Sequence, residues 1–182
     1  MKWKQHDLRA FMGSLLILFT GIIVAGPLCA QTKPELVAII RRDFLAINTD
    51  KALFKKTLSG EEFMENATDG GGELAGYYKN RSLVKIVEWI GLSYGNRTRE
   101  FYFKNNKLFF VYEKFQSFVT DDSTGEMDHG NVNTTFEGRY YFNQDKLIGQ
   151  KITGKRTFAD ESIGIAKELQ EAAKENSKVL NK

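Results

Sequence analysis

The chain has 182 residues, with 26 Lys and Arg against 23 Asp and Glu, and 42% of its residues are hydrophobic. These values are typical of an ordinary globular protein and exclude a disordered or collagen-like chain. Residues 31–182 carry 23 basic and 22 acidic side chains. A net charge this close to zero provides no electrostatic argument for binding nucleic acid or an anionic membrane surface.

The first thirty residues have the layout of a secretory signal peptide. Basic residues precede Ala10, and no charged residue occurs from there to Ala30. Cleavage after that small residue would leave Gln31 as the N-terminus, so we predict a signal peptide at 1–30 and a single domain at 31–182. The two alternatives to cleavage after Ala30 are retention of this segment as an uncleaved membrane anchor and lipidation at Cys29. We expect a secreted or periplasmic protein of the bacterial envelope, without a membrane span once the signal is removed.

The content of cysteine and histidine restricts the chemistry. Cys29 is the only cysteine, so a chain beginning at Gln31 has no disulfide and no thiolate catalyst or metal ligand. His129 is the only histidine beyond residue 30, which excludes a two-histidine metal site. The acidic stretch from Thr120 to Asn131 does not have the ligand spacing of an EF-hand, which leaves only an irregular calcium site. We therefore predict no metal and no cofactor.

Helical periodicity occurs near both ends of the mature chain. Apolar residues at spacings of three and four predict an N-terminal amphipathic helix: Leu36, Ile40, Phe44 and Ile47. The same spacing predicts a C-terminal helix that begins between Thr157 and Asp160: Ile163, Ala166, Leu169 and Ala173. The stretch from Ala52 to Asn66 is ambiguous, and we favour a strand at Phe54–Leu58 followed by a helical turn with Ser59 as its cap.

Between these helices the pattern is that of a β-sheet. Short runs rich in aromatic and β-branched residues are separated by turn residues: Glu73–Lys79, Leu83–Ile90, Arg97–Lys104, Lys107–Val119, Thr134–Asn143 and Lys146–Thr153. Short turns between successive strands imply an antiparallel meander. We predict an α+β fold, a curved antiparallel meander of about six strands with the N- and C-terminal helices packed on one face.

Two predicted hairpins are copies of one another. Phe101–Leu108 matches Tyr140–Leu147 at a shift of 39 residues, and a weaker third copy runs from Tyr77-Tyr78 to Leu83. A two-residue turn at Asn105-Asn106 predicts three cross-strand pairs: Phe103 with Leu108, Tyr102 with Phe109 and Phe101 with Phe110.

Both faces of the central hairpin are apolar. Leu108, Phe110 and Tyr112 are predicted on one face, with Phe109 and Val111 on the other. If both helices cover one face, the other face must be closed by curling of the sheet, a bound apolar ligand, a second copy of the chain, or the segment 52–66. The aromatic side chains that we expect to bind a ligand there are Trp89, Tyr102, Phe109 and Tyr141. The alternative is that these residues are ordinary core or cross-strand packing.

Our functional hypothesis is a non-catalytic domain that binds a small apolar ligand or an envelope partner, with a homodimer as one way of covering the second face. The alternative is an envelope hydrolase acting on glycan or peptide, which needs two carboxylates facing each other across a cleft. The predicted strands carry four candidate carboxylates: Glu88, Glu100, Glu113 and Glu137. Carboxylates at strand positions more often pair with basic residues, here Arg97, Arg99, Arg139 or Lys151.

The hairpins resemble those of a family of uncharacterised secreted bacterial proteins with a repeated Tyr-Tyr-Phe-x-x-x-Lys-Leu pattern. Here the pattern is represented by Phe101-Tyr102-Phe103 with Lys107-Leu108, and by Tyr140-Tyr141-Phe142 with Lys146-Leu147. The stretches Asp69–Leu74 and Ile90–Gly95 are also similar to that family. The resemblance implies one envelope domain and assigns no catalytic residue, since no activity is established for the family.

Overall fold

A computed structural model describes residues 31–66, 68–121, 123–156 and 163–182. The predicted signal peptide and the predicted start of the C-terminal helix lie outside these residues. The described helices are α1 (Lys33–Thr49), α2 (Gly60–Phe63) and α3 (Ile165–Leu180). The described strands are β1 (Phe54–Ser59), β2 (Gly72–Lys79), β3 (Ser82–Leu92), β4 (Gly95–Lys104), β5 (Lys107–Thr120), β6 (Met127–Asn143) and β7 (Lys146–Gly154).

The strands form one antiparallel sheet in which spatial order follows chain order from β1 to β7. The predicted α+β class and the meander are confirmed. The sheet has seven strands instead of about six, because the ambiguous segment does form β1. Ser59 ends this strand and caps α2, since its backbone N–H donates to the Glu62 carboxylate at 2.7 Å. The sixth strand begins at Met127, earlier than the predicted Thr134.

Three hairpins of the sheet share one turn geometry. All described non-glycine residues with positive φ form the three two-residue turns, at Asn80-Arg81, Asn105-Asn106 and Gln144-Asp145. Two consecutive residues with φ between 48° and 67° are the signature of a type I′ turn, whose twist matches that of the strands it joins. The weaker third copy of the hairpin repeat therefore has the same turn as the other two.

A β-bulge follows each of these turns, and because of it the observed register differs from the predicted one. Phe103 pairs with Leu108 as predicted, but Tyr102 pairs with Phe110 instead of Phe109, and Phe101 pairs with Val111 instead of Phe110. The extra residue in the bulge shifts the following residues by one position, which reverses the face on which they lie. The other two hairpins have the same register shift, with Val84 and Ile148 as the skipped residues.

The two long helices lie on opposite faces of the sheet, so the predicted packing on one face is wrong. Leu169, in α3, packs in a cluster with Phe101, whereas Ile40, in α1, packs in a separate cluster with Tyr102. Phe101 and Tyr102 are adjacent in β4, and adjacent strand residues point to opposite faces. The apolar character of both hairpin faces is therefore explained by one helix on each side.

Candidate functional site

The surface under α1 holds three of the four predicted ligand-binding residues. Tyr102 is 0% exposed, Tyr141 is 6% exposed, and the partly buried Phe109 packs against the same cluster. Phe44 of α1 closes over them, with its ring centroid 5.0 Å from that of Tyr102. At the turn end of the hairpins, the second apolar face is therefore covered by the protein's own helix.

Trp89 is not brought together with the other three. It lies in β3, four residues beyond Lys85, which pairs with Tyr102. Four residues of extended strand correspond to about 13 Å. The Trp89 side chain is 37% exposed and pairs across the sheet with Glu73 and Thr98.

Cavities remain on both sides of α1. One, of about 380 Å³, lies toward the hairpin turns and is lined by Ala46 and Phe109 among others; we call it the hairpin cavity. The other, of about 360 Å³, we call the aromatic cavity. Its lining residues come from α1, β5, β6 and β7: Ile40, Arg41, Phe44, Phe110, Tyr112, Arg139, Tyr141 and Lys151. Both volumes fall within the usual range for small-molecule sites.

The cations of the hairpin cavity are neutralised within the protein. The Lys104 ammonium lies 2.6 Å from the Asp43 carboxylate, and the Lys79 ammonium lies 2.8 Å from that of Asp50. These pairs join the turns of the hairpins to α1. The hairpin cavity is therefore bordered by contacts that hold α1 on the sheet.

The aromatic cavity has a rigid apolar base. Phe110 is 5% exposed and its ring centroid lies 5.3 Å from that of Tyr141 and 5.2 Å from that of Phe44. Such tilted and edge-to-face rings are favourable arrangements of aromatic side chains. Because these rings belong to two strands and to α1, the base keeps its shape without a ligand.

The rim of the aromatic cavity is cationic. Arg41, Arg139 and Lys151 line it, and no carboxylate does. The Arg41 guanidinium carbon lies 6.0 Å from the centre of the Tyr141 ring, and that of Arg139 lies 5.2 Å from the centre of the Tyr112 ring. Among the described residues, neither Arg41 nor Lys151 has an acidic partner within 4.0 Å. Since residues 31–182 together are almost neutral, this concentration of charge is local.

Glu137 positions two of the residues at the rim. Its carboxylate accepts a hydrogen bond from the Tyr112 hydroxyl and lies 3.5 Å from the Arg139 guanidinium. Partial burial and this bond to an anionic acceptor raise the pKa of Tyr112 to about 12. The bond from Tyr112 and the charge of Arg139 keep the pKa of Glu137 below its ordinary value, so the carboxylate is ionised at neutral pH. The three side chains form a fixed unit beside the cavity.

The four carboxylates of the hydrolase alternative do not face one another across a cleft. Glu88 and Glu113 flank Arg99 on the α3 face, where the three residues form one row across neighbouring strands. Glu100 and Glu137 lie on the α1 face, on strands separated by β5 and its Tyr112. Glu100 accepts a hydrogen bond from the Tyr102 hydroxyl and lies 3.1 Å from the Lys85 ammonium. All four are engaged in structural contacts.

A buried ionic network joins α3 to the sheet. Arg156 donates to both oxygens of Glu113, at 2.7 and 3.0 Å, and to both oxygens of Glu168 in α3, at 2.7 Å. At its other end, Asn176 of α3 donates to Glu88 at 2.8 Å. Bidentate pairs of this kind combine charge with fixed geometry. The network therefore ties α3 to the sheet at two points, Glu168 and Asn176, which are about two helical turns apart.

We expect this network to make stability depend on acid pH. Burial alone would raise the pKa of Glu88, but the charges of Arg99 and Arg97 outweigh it, so its pKa lies below the ordinary 4.5. Burial alone would also raise the pKa of Glu168, but the hydrogen bonds from Arg156 and the charges of Arg156, Arg99 and Arg97 together lower it. The unfolded chain therefore takes up these protons first. The free energy of unfolding should be constant in this respect above about pH 5 and fall as the pH drops through the folded-state pKa values.

Denaturant unfolding between pH 3 and pH 7 measures this effect. Glu168→Gln removes one of the groups and should reduce the slope below pH 4.5 by up to about 1.4 kcal/mol per pH unit. Glu171→Gln, on the exposed side of the same helix, is the matched control. Equal slopes for the two variants would contradict the assignment.

The described residues provide no further chemical signature. In the ranges given above, no three His, Cys, Asp or Glu side chains cluster so that they could hold a metal ion. Nor does any helix in that part of the chain combine the length and apolar character needed to cross a membrane.

Comparisons with protein-family models, with curated proteins and with solved structures found no match to this chain. The resemblance to the secreted bacterial family stays a prediction.

Only part of the aromatic cavity was predicted from the sequence. Tyr141 was among the predicted residues. Phe110 was given the wrong cross-strand partner, and Phe110 and Tyr112 were predicted on the face of Leu108, because the bulge at Phe109 was not foreseen. Arg139 and Lys151 were recognised only as basic partners for strand carboxylates. No signal in the sequence places them together, because a hairpin without the bulge at Ile148 would set Arg139 opposite Gln150 instead of Lys151.

Proposed function

We propose that the protein is a non-catalytic binding domain that holds a small apolar ligand in the aromatic cavity. The observation that carries this proposal is the cavity itself, about 360 Å³ between α1 and the sheet, with Phe44, Phe110 and Tyr141 at its base. Concave sites of this size, mostly apolar and with a few polar groups at the rim, are typical of ligand pockets. The engagement of all four strand carboxylates in structural contacts favours binding over hydrolysis.

The place of action that we propose is the bacterial envelope, and this rests on residues 1–30 alone. Their charge and hydropathy pattern is that of a secretory signal. N-terminal sequencing of the protein recovered from its host tests the proposal. Gln31 as the first residue would support it, and an intact Met1 would contradict cleavage.

A neutral aromatic probe tests the binding site. We expect 2-naphthamide, titrated into ¹⁵N-labelled protein, to shift the amide signals of Ile40, Phe110 and Tyr141, because its ring fits the apolar base. Lys151→Trp places a large side chain in the aromatic cavity from an exposed strand position. It should weaken binding by about tenfold or more, equivalent to about 1.4 kcal/mol.

The hairpin cavity supplies the matched control. Ala46 is exposed on α1 and lines only that cavity of the two. Ala46→Trp should leave the affinity for 2-naphthamide unchanged. If Ala46→Trp abolishes binding and Lys151→Trp does not, the ligand occupies the hairpin cavity and the proposed location is wrong.

A further inference from the structure

We propose that the apolar ligand of the aromatic cavity also carries an anionic group, a carboxylate or sulfonate attached to its aromatic or short aliphatic body. This inference rests on the proposed function and specifies its ligand class. The cavity combines an apolar base with three cationic side chains, Arg41, Arg139 and Lys151, and has no carboxylate in its lining. An anionic group with an apolar body is complementary to both parts.

The strongest evidence is a pair of like charges. Arg139 of β6 and Lys151 of β7 are directly opposite each other in the sheet. Directly opposed like charges destabilise a pair of strands. Glu137 lies 3.5 Å from Arg139, but no described carboxylate lies within 4.0 Å of Lys151. The ligand-free protein therefore keeps an unfavourable pair that a bound anion would relieve.

A second pair of directly opposed basic residues lies elsewhere in the sheet, and both of its members have an acidic partner. Lys104 of β4 is directly opposite Lys107 of β5, at the hairpin turn. Each has its own acid, since Lys104 lies 2.6 Å from Asp43 and Lys107 lies 3.7 Å from Asp145. Of the four basic residues in these two pairs, Lys151 is the one without an acidic partner among the described residues. Its charge is thus left available at the cavity rim.

The third cation approaches from α1. The Arg41 guanidinium lies near the Tyr141 ring, and this side chain makes no hydrogen bond or ion pair with a described residue. A guanidinium matches the planar geometry of a carboxylate and can bind both of its oxygens. With Arg41 on the helix and the Arg139–Lys151 pair on the sheet, the cations approach the cavity from both of its walls. An anionic group between them would be contacted from two elements.

Three probes of similar shape separate charge recognition from simple apolar binding. They are 2-naphthoate, 2-naphthamide and 2-naphthylmethylammonium, titrated into the purified protein at pH 7 and low salt by calorimetry, with the site located by NMR. We expect the carboxylate to bind at least about tenfold more tightly than the amide, and the ammonium to bind most weakly. The advantage of the carboxylate should shrink as salt is raised.

Variants at exposed cations test the assigned residues. Lys151→Gln should weaken 2-naphthoate binding by about three- to fivefold, and the double variant with Arg41→Gln by about tenfold or more. Lys146→Gln removes a positive charge from the same strand but outside the cavity and should change affinity by less than about 1.5-fold. None of the three variants should change the affinity for 2-naphthamide by more than about twofold.

Stability provides an independent readout of the like-charge pair. Without ligand, Lys151→Gln should raise the melting temperature by about 1–3 °C, because it removes the repulsion from Arg139. Lys146→Gln should not. A lower melting temperature for Lys151→Gln would contradict the argument from opposed charges.

The outcomes distinguish this inference from the proposed function. If the amide binds in the aromatic cavity as tightly as the carboxylate, the proposed ligand class is wrong but the proposed binding function is retained. The same holds if the double variant Lys151→Gln with Arg41→Gln leaves the affinity for 2-naphthoate unchanged. If none of the three probes shifts the signals of Phe110 and Tyr141, the proposed function fails as well.

Discussion

Glu113→Gln should lower the free energy of unfolding by about 3–5 kcal/mol. Glu113 is 0% exposed, and its carboxylate is held by the Arg156 guanidinium through two hydrogen bonds. The amide has nearly the same shape but no charge, so it leaves buried arginines without one of their counter-charges. Removal of one member of a buried ion pair costs more than the pair itself contributes, because the remaining charge is desolvated.

Chemical denaturation at pH 7 measures this effect, with a fall in melting temperature of roughly 10 °C or more expected alongside it. Glu73→Gln is the matched control, since the Glu73 side chain is 52% exposed and its carboxylate lies 3.4 Å from the Lys55 ammonium. An exposed pair of this kind contributes about 1 kcal/mol or less. If Glu113→Gln is no more destabilising than Glu73→Gln, the ionic network does not hold α3 on the sheet.

Phe101→Ala should be of similar severity for a different reason. Phe101 is 0% exposed in the cluster between the sheet and α3. Its truncation removes a large buried apolar surface and leaves a cavity that the surrounding strands cannot close, at a cost of about 3–5 kcal/mol. Phe54→Ala changes the same residue type at an edge-strand position that is 68% exposed, and should cost about 1 kcal/mol or less.

Denaturant unfolding of both variants tests this prediction, and ligand titration below the unfolding transition refines it. Phe101 lies on the face of the sheet opposite the aromatic cavity, so the folded Phe101→Ala protein should still bind 2-naphthamide. Equal stability of the two variants would show that the α3 cluster is not the main core. Loss of probe binding by folded Phe101→Ala would show that the two faces are coupled through the sheet.

The helices and strands could largely be predicted from local patterns. Spacings of three and four around Ile40 and Leu169 placed the long helices, and the paired turn residues at Asn105-Asn106 placed a hairpin. These signals are local because a helix stripe and a type I′ turn depend on residues close in the chain. The capping pair Ser59 and Glu62 also identified the end of β1 in a segment that periodicity left ambiguous.

The candidate site could be predicted only in part, because it depends on register. Because of one bulge residue, Phe109, the side chains of Phe110 and Tyr112 lie on the face opposite that of Leu108, although the three were predicted to share a face. The hydrophobic pattern does not record this, since both faces of the hairpin are apolar and either register buries aromatic side chains. The cavity lined by these residues follows from the observed register and from the position of α1.

By itself, the sequence determined the fold class, the meander order and the need to cover both faces of the central hairpin, because alternation along a strand reports the polarity of each face. Only the tertiary structure decided that α1 covers one face and α3 the other. An apolar stripe indicates that one face of a helix must be buried, but it does not identify the surface against which that face packs. The same is true of Lys151, whose charge is visible in the sequence. Its position opposite Arg139 depends on the bulge in the β6–β7 hairpin, and the distance of every described carboxylate from it depends on the folded arrangement.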